Sequence, residues 1–209
     1  MLDTDWSDGW RSAFRIELRA EAIGLACHGW PVLPGTFPAT PDGGQTTWAG
    51  PEPVHADWAE RFGVHPAEVA EWWTKPYSLL VATGKVLDAV EVDIELGKRA
   101  AGLLRATGHP APIVATPDGR WLFLTTVADQ LPERLATSGE VRWHGDGSFV
   151  PLPPTPYHHG VVHWRVKPDV WGWRLPAAEA VHSVLARALD QAESREVRSQ
   201  RLVAASAVA

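Results

Sequence analysis

Two turn tripeptides set the tightest limit on what this chain can fold into. Pro117-Asp118-Gly119 separates the apolar runs "PIVAT" (112–116) and "RWLFLTT" (120–126), and Gly145-Asp146-Gly147 separates "EVRWH" (140–144) from "SFVPLP" (148–153). Asp offers a local acceptor and Gly accepts positive φ, so each tripeptide predicts a tight reversal between two short strands. The runs "SLLVATG" (78–84) and "VLDAVEVDI" (86–94) are separated by one residue and predict a further hairpin, and "GVVHWRV" (160–166) reads as one more strand. Reversals outnumber helical crossovers, so the expected class is α+β with a largely antiparallel sheet.

Helices flank this core. Trp10, Phe14, Leu18, Ala22 and Ala26 recur every four residues, which predicts an amphipathic helix over 8–28, capped by Ser7 or Asp8 and stopped by Gly29. "WPVLP" (30–34) reads as a strand, 35–54 as a Gly/Pro/Thr-rich loop, and 54–62 and 66–73 as two short helices. Residues 95–107 carry an apolar stripe of Leu96, Ala100, Leu103 and Leu104, with Gly108 beyond, and 128–136 reads as a short helix or loop. A long helix is expected over 177–201, with a frayed tail after it. The boundaries are therefore a domain over 1–175 and a C-terminal helix and tail over 176–209.

Composition narrows the function classes. The net charge of −6 over 209 residues opposes nonspecific attraction to polyanions, although a local basic groove stays open. Cys27 is the single cysteine, so no internal disulfide forms, and it is expected to be buried at a helix end beside His28. The N-terminus is acidic and lacks a signal-peptide layout, and no apolar stretch reaches spanning length, so a cytoplasmic protein without membrane attachment is expected.

The stretch "LDAVEVDIELG" (87–97) carries the chemistry. Alternation along a strand puts Glu91 and Asp93 on one face, with Asp88, Val90 and Val92 on the other. Two neighbouring carboxylates stay ionised together only with a cation beside them. A hard divalent metal is one such cation, and a solvated strand end is the plainer alternative. Glu140, which opens the strand 140–144, is a candidate third acid. Arg142 shares the face of Glu140 and reads either as its ion-pair partner or as a phosphate contact.

In these features the sequence resembles the bifunctional DNA primase/polymerase N-terminal (Prim-Pol) family of the archaeo-eukaryotic primase superfamily. The likeness runs from about Leu18 to Lys167 and is carried by "AIGLACHGWPVLPG", "VAEWWTKPYSLLVATG", "VLDAVEVDIELG", "IVATPDGRWLFL", "EVRWHGDGSFVPLPPT" and "GVVHWRV", in that order. It implies an RRM-like sheet with flanking helices and a C-terminal helix. It also implies Mg²⁺ or Mn²⁺ held by Glu91, Asp93 and Glu140, the catalytic acids, and nucleotidyl transfer onto DNA. DNA and nucleotides would be partners, with a separate helicase or replication protein. Arg120 and Trp121 fall at the turn that touches the nucleotide in the family, and Arg142 beside the third acid.

Departures from the pattern accompany the likeness. Glu91 stands where the family has Asp, and Trp121 stands where it has His, so a charged imidazole is replaced by a neutral indole with one N–H. Alternation turns Arg120 to the face opposite Trp121, and Asp118 in the turn repels phosphate. The alternative implied is a catalytically degenerate relative that binds nucleic acid, nucleotide or protein.

Elsewhere, His159 and His163 would lie roughly 13–14 Å apart on a strand, too far to share a zinc ion. "WRVKPDVWGWR" (164–174) reads as tryptophans pinning the last helix to the sheet, or as a stacking surface for bases.

Overall fold

The computed structural model describes residues 4–38, 48, 50–109 and 111–206. The order is α1 (Thr4–Cys27), β1 (Val32–Gly35), α2 (Pro66–Trp72), β2 (Ser78–Ala82), β3 (Asp88–Asp93), α3 (Ile94–Ala106), β4 (Ile113–Ala115) and β5 (Arg120–Thr125). Then follow α4 (Glu133–Ala136), β6 (Val141–His144), β7 (Phe149–Pro151), β8 (Pro156–Tyr157), β9 (Gly160–Val161), β10 (His163–Val166), a 3₁₀ turn (Pro168–Trp171) and α5 (Ala178–Ser206). Every pairing between these strands is antiparallel, and of the expected reversals the one at Pro117-Asp118-Gly119 joins paired strands, β4 and β5.

The strands divide between sheets. A five-stranded sheet has the order β10-β4-β5-β3-β6, a three-stranded sheet the order β1-β2-β7, and β8 with β9 forms a small hairpin. Alternation sends the two faces of the larger sheet into different cores. Val90, Val92, Ile113, Ala115, Trp121 and Phe123 pack against Leu96, Ala100 and Leu104 of α3 and against Val181, Leu185 and Ala188 of α5. On the other face, Ala89, Val114, Leu122 and Leu124 join Leu18, Ala22 and Leu25 of α1 and Val32, Leu79, Val81 and Val150 of the smaller sheet.

Several expectations change in the structure. The hairpin over 78–94 is absent: β2 pairs with β1 and β7, whereas β3 pairs with β5 and β6. The strands flanking Gly145-Asp146-Gly147 are likewise not partners, since β6 pairs with β3 and β7 with β2. Both short links carry the chain from one sheet to the other, and they meet. Thr83 Oγ1 donates to the Gly145 carbonyl at 2.6 Å, the Thr83 amide donates to Ser148 O at 2.9 Å, and Lys85 pairs with Asp146 at 3.1 Å. Buried Asp88 fastens the crossing, accepting from the Gly84 amide (3.0 Å), the Ala128 amide (2.9 Å) and Trp143 Nε1 (3.2 Å).

Residues 54–62 form turns and bends rather than a helix, and 160–166 is interrupted at Val162, giving β9 and β10. The last helix runs on to Ser206, where fraying was expected from 202; residues 207–209 of that tail, like 39–47 and 49 of the expected loop, lie outside the described residues. Cys27 is exposed because the buried stripe of α1 runs through Leu18, Ala22, Leu25 and Ala26 and leaves position 27 outside it. Trp171 is also exposed, and Trp173 stacks on His28 with centroids 3.6 Å apart, so the one of these two tryptophans that packs does so beside the end of α1 rather than on α5. Among the described residues no helix is long and apolar enough to cross a membrane.

Candidate functional site

On the face of the larger sheet that carries Ala89, Leu122 and Leu124, the register also assembles a charged row. Glu91 lies opposite Leu122 of β5 and Arg142 of β6, Asp93 lies opposite Arg120, and Ala89 lies opposite His144. Directly opposed residues in an antiparallel ladder share a face, so Glu91, Asp93, Arg120, Arg142 and His144 all project to one side. The expected common face of Glu91 and Asp93 is present.

Glu91 is the hub. Arg120 Nε donates to its Oε1 at 2.8 Å, His144 Nε2 donates to its Oε2 at 2.7 Å, and Arg142 Nη1 lies 3.9 Å from Oε2. The Glu91 side chain is 12% exposed, and that of Arg142 is 71% exposed. Burial alone would raise the Glu91 carboxyl, but the bonds and charges of His144 and Arg120 outweigh it and hold the group at about 2. His144 is in turn oriented through Nδ1, which faces Ser148 Oγ at 3.2 Å.

Asp93 has a different duty. It is the N-cap of α3, and its Oδ1 accepts from the amides of Glu95 (2.7 Å) and Leu96 (3.0 Å). The cap satisfies two otherwise unpaired amides and sets a negative charge against the positive end of the helix dipole. The like-charge problem of "EVD" is thus met separately at each acid, with protein cations at Glu91 and a helix terminus at Asp93.

Glu140 precedes β6 in an exposed turn. Its backbone carbonyl accepts from Arg120 Nη2 at 3.2 Å. Among the described residues no group of three or more His, Cys, Asp or Glu is placed to hold a metal ion. The donor set therefore does not fit the divalent ion that the resemblance implies. Both Glu91 oxygens face nitrogen donors, one Asp93 oxygen is committed to a cap, and Glu140 is not gathered with them.

Arg120 and Trp121 take opposite roles. Trp121, expected at the nucleotide, is 6% exposed in the helix-side core, against Gly97 of α3 and with Arg165 over its ring at 5.2 Å. Arg120 holds the acid-bearing face, because position 120, not 121, is in phase with Asp93. The turn between β4 and β5 is fastened by Thr116, whose hydroxyl donates to Asp118 and whose amide donates to the Arg120 carbonyl at 2.9 Å. Arg142 faces Glu91 rather than Glu140.

His144 is the residue that the sequence reading missed. The alternation that put Arg142 on the face of Glu140 continues to His144, so the signal was present two residues further on. Tyr157 of β8 stands nearby: burial, then the negative charges of Asp118 and Glu91, push its phenol far up, so it stays neutral.

The family model described as bifunctional DNA primase/polymerase, N-terminal (Prim-Pol) matches residues 22–181. A comparison with curated proteins gives no match. Among solved structures the chain is similar to the polymerase domain of Ligase D from Mycobacterium tuberculosis in complex with DNA. The identity is 11%, the TM-score 0.40, and the match covers 85% of this chain and 88% of that one. That likeness is slight beside the family match, which spans most of the chain.

Proposed function

The chain belongs to the bifunctional DNA primase/polymerase N-terminal family, a nucleotidyl-transfer-type domain, and from that premise we propose that it binds the phosphate groups of nucleotides and DNA without carrying out transfer. Arg142, Arg120 and His144 form the receiving face. Arg142 is the exposed, weakly committed cation, Arg120 presents the edge of its guanidinium, and His144 fixes the carboxylate that holds Arg120 in place. The observation that carries this reading is the engagement of both Glu91 oxygens by nitrogen donors.

Divalent metal is the cofactor that family membership implies, and Mg²⁺ or Mn²⁺ transfer chemistry on DNA is the competing reading. One observation favours it: Glu91 and Asp93 leave the same face of β3. Primer extension with labelled dNTPs and Mn²⁺ separates the two. The expected result is no incorporation, together with dNTP and single-stranded DNA binding that weakens roughly tenfold in Arg142→Ala. Incorporation abolished by Asp93→Ala would replace the binding reading with the polymerase one.

A further inference from the structure

A pair of ionised carboxylates on one sheet face needs positive charge beside it. At Glu91 that charge comes from side chains, Arg120 on one oxygen and His144 on the other. Arg120 rises opposite Asp93, places Nε on Glu91 Oε1 at 2.8 Å and Nη2 on the Glu140 carbonyl at 3.2 Å. One guanidinium thus touches two of the three positions whose acids would surround an ion and stands opposite the third. It is planar, charged at every accessible pH, and carries five N–H donors, of which these bonds leave Nη1 uncommitted.

We infer that Arg120 is a built-in cation standing where the family's divalent ion would stand. It excludes metal from the acid pair and lets the site receive a nucleotide phosphate without one. The inference rests on the phosphate-binding reading above and makes a claim of its own about Arg120. Glu91 and Asp93 are then working parts rather than remnants: one pins the guanidinium and the other caps α3.

The test uses the full chain, with thermal melting for metal and calorimetry for dATP, each in excess EDTA and in Mn²⁺. Wild type is expected to show no saturable melting shift with Mn²⁺ alone and to bind dATP with less than about a twofold difference between the two buffers. Arg120→Met uncovers Glu91, and a saturable Mn²⁺-dependent rise in melting temperature, on the order of several degrees, is expected in that variant. Saturable Mn²⁺ stabilisation of wild type would overturn the inference. So would dATP binding that vanishes in EDTA and returns with Mn²⁺, or a folded Arg120→Met that ignores Mn²⁺. Should Arg120→Met fail to fold, the wild-type arms still decide.

The two proposals fail in different ways. Absence of dATP binding in both buffers removes the phosphate-binding reading, while the Mn²⁺ responses of wild type and variant still report on Arg120.

Discussion

Glu91 shows how a chain of net −6 can hold one carboxylate between protein cations. It is nearly covered, yet ionised, because Arg120 and His144 each reach it within 2.8 Å. Its folded pKa of about 2 lies below the ordinary 4.5, so the folded state binds fewer protons than the unfolded one between those values. Its contribution to stability is therefore complete above the unfolded value and is lost as pH falls through the folded one, and it amounts to something on the order of 3 kcal/mol. Melting temperatures of wild type and Glu91→Gln are expected to differ most above about pH 5 and to converge towards pH 2. A gap that stays constant across that range would mean that the carboxylate is not held by its two partners. The residue scale is also where the sequence was least legible. Face and phase were readable for Glu91, Asp93 and Arg142. Which of Arg120 and Trp121 turned to the site was not, because both are plausible there and only the register across β5 and β3 decides it.

At the scale of elements, strands announced themselves and their partners did not. Period-two patterning and turn residues are local properties, so β2, β3, β6 and β7 were all legible in place. Pairing is non-local, and two short links, which read as hairpins, cross between sheets and press together at Gly84 and Asp146. Gly84 has φ +91°, and a Cβ there would lie 2.1 Å from the Asp146 Cα, a backbone atom that cannot swing aside. Gly147 also has positive φ (+72°) but faces open space. Gly147→Ala is expected to cost only the conformational penalty, about 1–2 kcal/mol, whereas Gly84→Ala adds a steric clash and is expected to exceed about 3 kcal/mol. Urea unfolding of the two variants makes the comparison. Equal losses would show that the links do not meet as described.

For the whole molecule the question is how an acidic protein would hold a polyanion. Its 25 acidic residues exceed its 19 basic ones, so long-range attraction does not draw nucleic acid to the surface, and binding must come from a few contacts made at short range. The sheet face offers two arginines, of which Arg142 is largely exposed and Arg120 partly committed to Glu91. Each phosphate neutralised on a single strand contributes roughly −0.7 to the slope of log K against log salt, so a site of this size predicts a shallow slope of about −1 to −1.5. Arg142→Ala is expected to weaken oligonucleotide binding about equally for all sequences and to reduce the slope by roughly 0.7, because its contact would be to backbone and not to a base edge. Fluorescence anisotropy between about 50 and 200 mM salt measures both. A slope near −4 or steeper would require several more cations along the strand. It would move the interface away from Glu91, towards the segment where Arg165, Lys167 and Arg174 accompany the exposed Trp171. A shallow slope that depends on Arg142 would tie nucleic-acid binding to the face that Arg120 and Glu91 build.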